Sequence, residues 1–501
     1  MKTAAYLKHI DTLIAAILGA IAVYMLTKYS GVGISPDSIM YASTATNMQA
    51  HGSLLTYNDT PLVFFPVFYP FFLAVVQFIS GVDPFAAGSI INMALFASVI
   101  LVSGYILERY LVKPRIYKWL ILIAVVLSPA LLQIYSLLWS ETLFILEVMI
   151  FLLAYQRYNQ RQSTGRLVVI TIIAAIACIT RYAGITLIGA GGLLLILDNR
   201  LIIRYKIKHL LVFGFGSVSL LIANLIVNSI NTGLSTGKRL PSITSLTENL
   251  HYAGVMFCHW LGFKESLDHF AIIVAALLLL SLAGLLICKF VKSKICNSET
   301  IIIAFAFTYG MFMILLATFS RFERLDSRLL SPMFIPLLIG ITAWVPDAIQ
   351  HIQSKTIKYA VSGIGILLML AFNSNILKTD LQRYDDEKDY GVPGYADDDW
   401  NKSPFAAFLR SNKNLLKTGV PVYTNADEAF YLFTGKPSKL LPHRYFKDDV
   451  AKFYATTHYY IIWFKAATNV ELIEIKEIQK AHQLNKLHDF EDGAIYEYVH
   501  K

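Results

Sequence analysis

Apolar segments long enough to cross a membrane recur along most of this chain. Eleven runs of about 14 to 23 mainly apolar residues follow one another between Asp11 and Ser374, and a helix needs about 20 such residues to cross a bilayer. Since the chain is 56% hydrophobic and only 15% charged, its composition excludes a soluble globular protein. We predict a polytopic α-helical membrane protein with spans at 11–28, 86–108, 117–134, 142–156, 167–180, 183–197, 207–229, 269–290, 300–319, 329–346 and 357–374.

A twelfth apolar stretch, 62–80, differs from the others because Pro66 and Pro70 interrupt it. If it lies along the membrane interface, eighteen Lys and Arg residues fall on one side of the membrane and eight on the other. This count leaves out the C-terminal tail. Cytoplasmic loops are the ones enriched in Lys and Arg. We therefore expect eleven crossings, interfacial helices in a first outer loop at 29–85, a cytoplasmic N-terminus and no cleavable signal peptide.

The composition becomes polar after about Leu377 and no later stretch could span. Helical patterns at 404–415, 426–433, 446–455 and 470–484 alternate with β-rich runs at 421–424, 459–464 and 494–499, which indicates a small α/β unit. We predict a transmembrane catalytic domain at 1–376 and a soluble α/β domain at 377–501. Eleven crossings place the soluble domain outside the cytoplasm.

Neither the cysteines nor the net charge indicates a function. The four cysteines have no metal-ligand spacing and the tail contains none. The net charge of +9 comes mainly from loops expected to face anionic lipid. We therefore expect no disulfide framework and no nucleic-acid partner.

The first outer loop contains a candidate catalytic carboxylate. Ser35 as N-cap, Pro36 at the first helical position and Gly52 after the end predict a helix. Asp37 and Tyr41 would share one face of this helix at i, i+4. The alternative is that Asp37 only favours the helix N-terminus, a contribution of about 0.3–1 kcal/mol.

Two further charges are predicted at the same membrane surface. Glu141 follows Trp139 and Ser140 at the turn between the third and fourth crossings. The structural alternative is that Ser140 is an N-cap and Trp139 an anchor at the membrane interface. Arg181 is the only charge between residues 167 and 197, a run that must fold as a hairpin with Arg181 at its outer turn. We expect Arg181 to contact a partner or a lipid phosphate, or to snorkel to the surface.

The segment 321–328 carries three arginines on the side that otherwise avoids positive charge: Arg321, Arg324 and Arg328. Arginine binds phosphate bidentately, as a lipid-phosphate substrate would require. Local pairing with Glu323 and Asp326 is the alternative explanation.

Five short motifs resemble, in their order along this topology, those of the GT-C superfamily of integral membrane glycosyltransferases. This broad group includes protein O-mannosyltransferases and lipid A aminoarabinose transferases. The resemblance covers roughly the first 375 residues. Its motifs are Pro36-Asp37-Ser38 with Tyr41, Phe65-Pro66-Val67-Phe68-Tyr69-Pro70, Ser140-Glu141-Thr142-Leu143-Phe144, Thr180-Arg181-Tyr182 and Arg328-Leu329-Leu330-Ser331-Pro332.

The resemblance implies a hexosyl- or pentosyltransferase, mannosyltransferase-like in mechanism. It would move a sugar from a polyprenyl-phosphate donor to an envelope lipid, glycan or protein on the extracytoplasmic face, with inversion. Asp37 would be the general base. Glu141 would orient the acceptor or, with Asp37, hold a divalent cation. Glu141 stands where many members have Asp, and no His accompanies it, which leaves metal dependence open. Arg181, Arg324 and Arg328 would neutralise the departing lipid phosphate. The substrate-binding residues would be Tyr41, Arg181, Tyr182, Arg321, Arg324 and Arg328.

Three other classes stay open. A polyprenyl-linked glycan ligase or polymerase fits the span count but typically carries its functional loop late in the chain. A lipid or sugar transporter would more often show charges within its spans and internal repeats, and neither is evident. For a non-catalytic envelope scaffold, Asp37→Asn and Glu141→Gln should both be silent.

Overall fold

The computed structural model describes residues 9–237, 241–260, 268–292, 297–320, 324–467 and 469–500. Seven helices among them are long and apolar enough to cross a membrane, or eight if the bent pair Arg115–Val126 and Pro129–Ser136 forms one span. The chain is thus an integral membrane protein, mostly helical, while the predicted count of eleven crossings is not confirmed.

The helices of the membrane part follow one another with short connections. They are α1 (Ile10–Thr27), α2 (Pro36–His51), α3 (Phe68–Ser80), α4 (Pro84–Ile106), α5 (Arg115–Val126), α6 (Pro129–Ser136), α7 (Glu141–Gln160), α8 (Thr164–Thr180), α9 (Ile185–Leu197), α10 (Ile203–Thr232), α11 (Leu246–Trp260), α12 (Ala271–Val291), α13 (Ser298–Phe319), α14 (Ser327–Leu330), α15 (Phe334–Thr342), α16 (Val345–Gln350) and α17 (Lys355–Tyr390).

Besides the span predicted at 117–134, which forms the bent pair, three predicted spans form helices that are not among the seven. α8 and α9 are apolar but short, at 17 and 13 residues, and α7 carries three charged side chains in its 20 residues. In the ambiguous stretch 62–80, α3 begins only at Phe68 and has 13 residues. Pro70 thus lies in the first turn, where its missing N–H has no intrahelical acceptor in any case.

Buried ion pairs join loops that the topology assigns to the same side. Lys118 Nζ lies 2.7 Å from Asp11 Oδ1. Glu299 pairs with Lys113 at 2.8 Å and with Lys289 at 2.5 Å. All five residues belong to the loops and span ends predicted to be cytoplasmic. The structure therefore groups these loops as the sequence predicts, while the compartment that they face stays a prediction.

By their contacts, the residues form two compact units. The first consists of residues up to Lys28, Val63–Tyr69 and Ala87–Asp385. The second consists of Tyr29–Leu62, Pro70–Ala86 and Asp386–Lys501. Most of the first outer loop therefore belongs to the same unit as the C-terminal tail.

The tail forms a five-stranded sheet in the order β2-β1-β3-β5-β4. Strands β2, β1 and β3 are parallel, and β3, β5 and β4 are antiparallel. The strands are β1 (Val422–Thr424), β2 (Lys439–Leu440), β3 (His458–Phe464), β4 (Asn485–Asp489) and β5 (Gly493–Val499), and the helices are α18 (Asp398–Asn401), α19 (Pro404–Ser411), α20 (Asp427–Thr434), α21 (Lys447–Tyr454) and α22 (Ile475–Ala481).

Alternation along β3 divides the core of this sheet between its two faces. Ile462 and Phe464 pack with the aromatic residues of α19 and α20. Tyr459 and Ile461 pack with Phe453 of α21 and with α22. Because side chains of a strand alternate between faces, each face receives its own helical cover.

The first outer loop joins this domain through backbone and side-chain hydrogen bonds within the second unit. The backbone N–H of Tyr395 donates to the Ile34 carbonyl at 2.7 Å, and that of Val392 donates to Ser30 Oγ at 2.9 Å. Helix α2 also packs against α20. The loop that carries Asp37 is therefore held by the tail.

Candidate active site

Glu141, the first residue of α7, is fully buried at 0% exposure. Its Oε2 lies 2.7 Å from Arg181 Nη1, and its Oε1 lies 2.5 Å from Arg328 Nε. Two guanidinium groups and one carboxylate give this cluster a net positive charge. The structure thus brings together three of the predicted site residues, which lie up to 187 positions apart in the chain.

A break between α6 and α7 places Glu141 at a helix start. Asn92 Nδ2 donates to the carbonyls of Tyr135 at 2.9 Å and Leu137 at 2.8 Å. The Tyr135 hydroxyl in turn donates to the Thr142 carbonyl at 3.0 Å. Sequence reasoning missed Asn92, although it is the only amide side chain in the apolar run 86–108.

Arg181 lies at the turn of a helical hairpin between α8 and α9, as its sequence predicts. Gly184 lets the turn approach α8, because a Cβ at Gly184 would lie 2.4 Å from the Ala177 carbonyl oxygen. Besides its pair with Glu141, Arg181 Nη1 donates to Ser140 Oγ at 2.8 Å. Its Nε is buried and has no hydrogen-bond partner among the described residues.

Arg328 is placed by a cap and by an aromatic ring. Asp326 Oδ1 accepts the Leu329 N–H at 3.0 Å and so begins α14. The guanidinium carbon of Arg328 lies 4.2 Å from the ring centroid of Trp139, which is only 8% exposed. Ser140 makes no capping hydrogen bond. Ser140 therefore occupies the predicted N-cap position of α7 without the capping hydrogen bond, and the interface anchor at Trp139 stays a prediction.

Arg324 and Tyr182 contact residues outside the cluster of Glu141, Arg181 and Arg328. Arg324 is exposed and lies with its guanidinium carbon 4.2 Å from the Tyr252 ring centroid. Tyr182 donates its hydroxyl to the Val63 carbonyl at 3.3 Å. Arg321, like Glu323, lies outside the described residues.

Asp37 and Tyr41 belong to the second unit, on α2. The predicted caps are present, since Ser35 accepts the Ser38 N–H and Gly52 ends the helix at a φ of 64°. Asp37 is half-buried, whereas Tyr41 is 1% exposed. Of the two residues on this predicted face, Asp37 is the more accessible.

The second unit adds an acidic pair that sequence reasoning left without a role. Asp427 and Glu428 begin α20, and the Tyr57 hydroxyl donates to Asp427 Oδ2 at 2.6 Å. Burial raises the pKa of Asp427. Burial, the charge of Asp427 and, more weakly, that of Asp37 raise the pKa of Glu428 to about 8. Burial and the neighbouring carboxylate therefore both favour the protonated form of Glu428.

A divalent cation does not fit at Glu141, because both carboxylate oxygens are already engaged by arginines. No group of three or more His, Cys, Asp or Glu side chains could hold a metal ion in the part of the chain that the structure describes.

No family model and no curated protein matches the sequence. Among solved structures, ArnT from Cupriavidus metallidurans in the apo state matches with a TM-score of 0.57 and 13% identity, covering 100% of this chain and 99% of that one. The same protein bound to undecaprenyl phosphate matches with a TM-score of 0.56 and 13% identity, covering 98% and 97%. Over its whole length, this chain has the fold of ArnT, as its resemblance to the GT-C superfamily implies.

Proposed function

We propose that this protein is a membrane glycosyltransferase that moves a sugar from a polyprenyl-phosphate carrier to an acceptor hydroxyl or amine. The acceptor would be an envelope lipid, glycan or protein. The excess of Lys and Arg on one set of loops supports an inner-membrane orientation with a cytoplasmic N-terminus. The arginine cluster and the C-terminal domain would then lie on the extracytoplasmic side.

The observation that carries the proposal is the buried cluster of Glu141, Arg181 and Arg328. Its two guanidinium groups exceed its one carboxylate, and Arg181 Nε is a buried donor that no described residue accepts. A buried unsatisfied donor costs about 1–3 kcal/mol, which a phosphate oxygen would recover. The fold is shared with ArnT, for which one structure contains a polyprenyl phosphate.

In the proposed reaction, the acceptor oxygen or nitrogen attacks the anomeric carbon as the bond from that carbon to the phosphate oxygen breaks. The bonding electron pair stays with the polyprenyl phosphate, whose charge increases. Arg181 and Arg328 would stabilise this developing charge, and Arg324 would contact the donor from the exposed segment. Glu141 would act through the arginines, by holding both guanidinium groups in place.

Asp37 is the proposed general base, which takes the acceptor proton as the new bond forms. Attack from the face opposite the phosphate would invert the configuration at the anomeric carbon. Tyr41 and Tyr182 are the other proposed substrate contacts. Because Tyr41 is only 1% exposed, its side chain would have to move to reach a substrate.

The test is transfer of radiolabelled sugar by the purified protein from a panel of polyprenyl-phosphate hexoses, mannose among them, and pentoses. Envelope lipids, glycans and proteins serve as acceptors. Transfer that Asp37→Asn abolishes would support the enzyme and its base. Transfer that Asp37→Asn leaves intact would remove Asp37 from the mechanism. An absence of transfer with every donor would contradict the proposed function and favour transport or scaffolding.

Asp59→Asn is the matched control, because Asp59 is an exposed carboxylate in the same outer loop and has no proposed role. Its φ of 59° is one that asparagine also adopts. Transfer by Asp59→Asn should equal that of the wild type.

A further inference from the structure

Glu147 is a second buried glutamate on α7, six residues after Glu141 and 7% exposed. Its Oε1 lies 2.8 Å from Thr180 Oγ1. Its Oε2 is buried without a hydrogen-bond partner among the described residues. In contrast to Glu141, it has no ion pair in that part of the chain.

The contacts of Thr180 indicate the protonation state of Glu147. Thr180 Oγ1 is within hydrogen-bonding distance of both Glu147 Oε1, at 2.8 Å, and the Ile176 carbonyl, at 3.0 Å. One hydroxyl proton cannot satisfy both acceptors. If the carboxylic acid of Glu147 donates to Thr180, the hydroxyl can donate to Ile176, and both contacts become hydrogen bonds. A buried, unpaired carboxylate anion would cost far more free energy than the neutral acid.

Thr180 is the last residue of α8, and Arg181 directly follows it. The end of α8 is therefore attached to α7 at two points, Thr180 to Glu147 and Arg181 to Glu141. We propose that Glu147 is an uncharged positioning residue that donates to Thr180 and so fixes the backbone from which Arg181 reaches Glu141. Its role in donor binding rests on the function proposed above.

The test compares Glu147→Gln, which keeps a donor, with Glu147→Met, which keeps the length and removes it. Thr180→Val removes the partner hydroxyl and Thr180→Ser retains it. Binding of undecaprenyl phosphate to the purified full chain in detergent micelles is followed by the shift in melting temperature with lipid concentration. We expect Glu147→Gln and Thr180→Ser to bind within twofold of the wild type. Glu147→Met and Thr180→Val should weaken binding about tenfold, as expected if the displaced Arg181 loses one hydrogen bond to the lipid phosphate.

An Arg181→Gln background separates positioning from a merely structural role. Because Glu147 acts through Arg181, Glu147→Met should weaken binding no further once Arg181 is gone. The proposal would be overturned by an undiminished effect of Glu147→Met in that background. It would also be overturned if Glu147→Gln weakened binding as much as Glu147→Met, or if Glu147→Met had no effect on binding.

Failure of the proposed function has a different signature. If the wild type does not bind undecaprenyl phosphate, donor binding by the cluster is refuted, and the positioning role is judged from melting temperatures without ligand. Losses from Glu147→Met and Arg181→Gln that overlap in the double variant would support the role. Losses that add in full would overturn it.

Discussion

Glu141→Gln removes the carboxylate that pairs with both Arg181 and Arg328 and leaves the shape of the side chain almost unchanged. Glu141 is 0% exposed, and the side chains of Arg181 and Arg328 are 15% and 11% exposed, so water screens the uncompensated charges only weakly. Breaking a buried ion pair by removing one partner costs about 3–5 kcal/mol. We expect the low end of this range, about 3 kcal/mol, because the amide oxygen can still accept one hydrogen bond.

The chain length converts this energy into a melting shift. An unfolding entropy of about 2.1 cal/mol/K per residue gives roughly 1 kcal/mol/K for a chain of 501 residues. Glu141→Gln should therefore lower the melting temperature by about 3 °C. The assay is thermal unfolding of purified protein in detergent, followed by intrinsic tryptophan fluorescence at a fixed scan rate.

Glu147→Gln is the matched control, because it makes the same chemical change at a buried position of the same helix. Since the structure indicates a neutral Glu147, this control should melt within about 1 °C of the wild type. Adding Arg328→Met to Glu141→Gln should recover part of the loss, because one buried cation remains in place of two. Equal melting of Glu141→Gln and the wild type, or equal losses at positions 141 and 147, would refute the reasoning.

Three other predictions address the base, the acidic pair and the hairpin. Asp37→Asn should lower turnover by about 10²–10⁴-fold with an unchanged melting temperature, measured by sugar transfer and thermal unfolding together. The pKa of Glu428 is raised from the ordinary value of 4.5, so above that pH the folded state keeps a proton that the unfolded state loses. The free energy of unfolding should therefore fall as pH rises from about 5 to about 8, by at most about 1.4 kcal/mol per pH unit. Denaturation across this pH range should show a shallower slope for Glu428→Gln than for the wild type. Gly184→Ala should lower the melting temperature by about 1–3 °C, because the added Cβ would clash with the backbone of Ala177. An unchanged melting temperature would show that the turn can relax.

Local signals in the sequence predict local structure well in this chain. The Ser35 cap, Pro36 and Gly52 define α2, whose observed bounds are Pro36–His51. The apolar run around Arg181 predicts a hairpin because its length excludes a single crossing, and the structure turns at that residue. Strands β2 and β4 were not predicted, because β2 has two residues and β4 is mostly exposed, so neither carries a clear apolar alternation.

The pairing within the site could not be read from the sequence in the same way. Topology placed Glu141, Arg181 and Arg328 on one membrane side, and this grouping agrees with their contacts. The pairing of Glu141 with two arginines depends on packing between segments up to 187 residues apart. Asn92 and Glu147 were missed for the same reason, because their partners are distant in the chain.

The charge balance of the cluster matches the charge change in the proposed reaction. A sugar joined through a phosphodiester gives the donor one negative charge, and the departing phosphate monoester carries about −1.5 to −2 at neutral pH. A site that stabilises the product-like charge more than the donor's charge lowers the barrier to the transfer step. With two guanidinium groups alone, the site would also hold the departing phosphate more tightly and slow its release. Glu141 offsets one of these charges and fixes the geometry of both groups, so its loss should affect product release as well as stability.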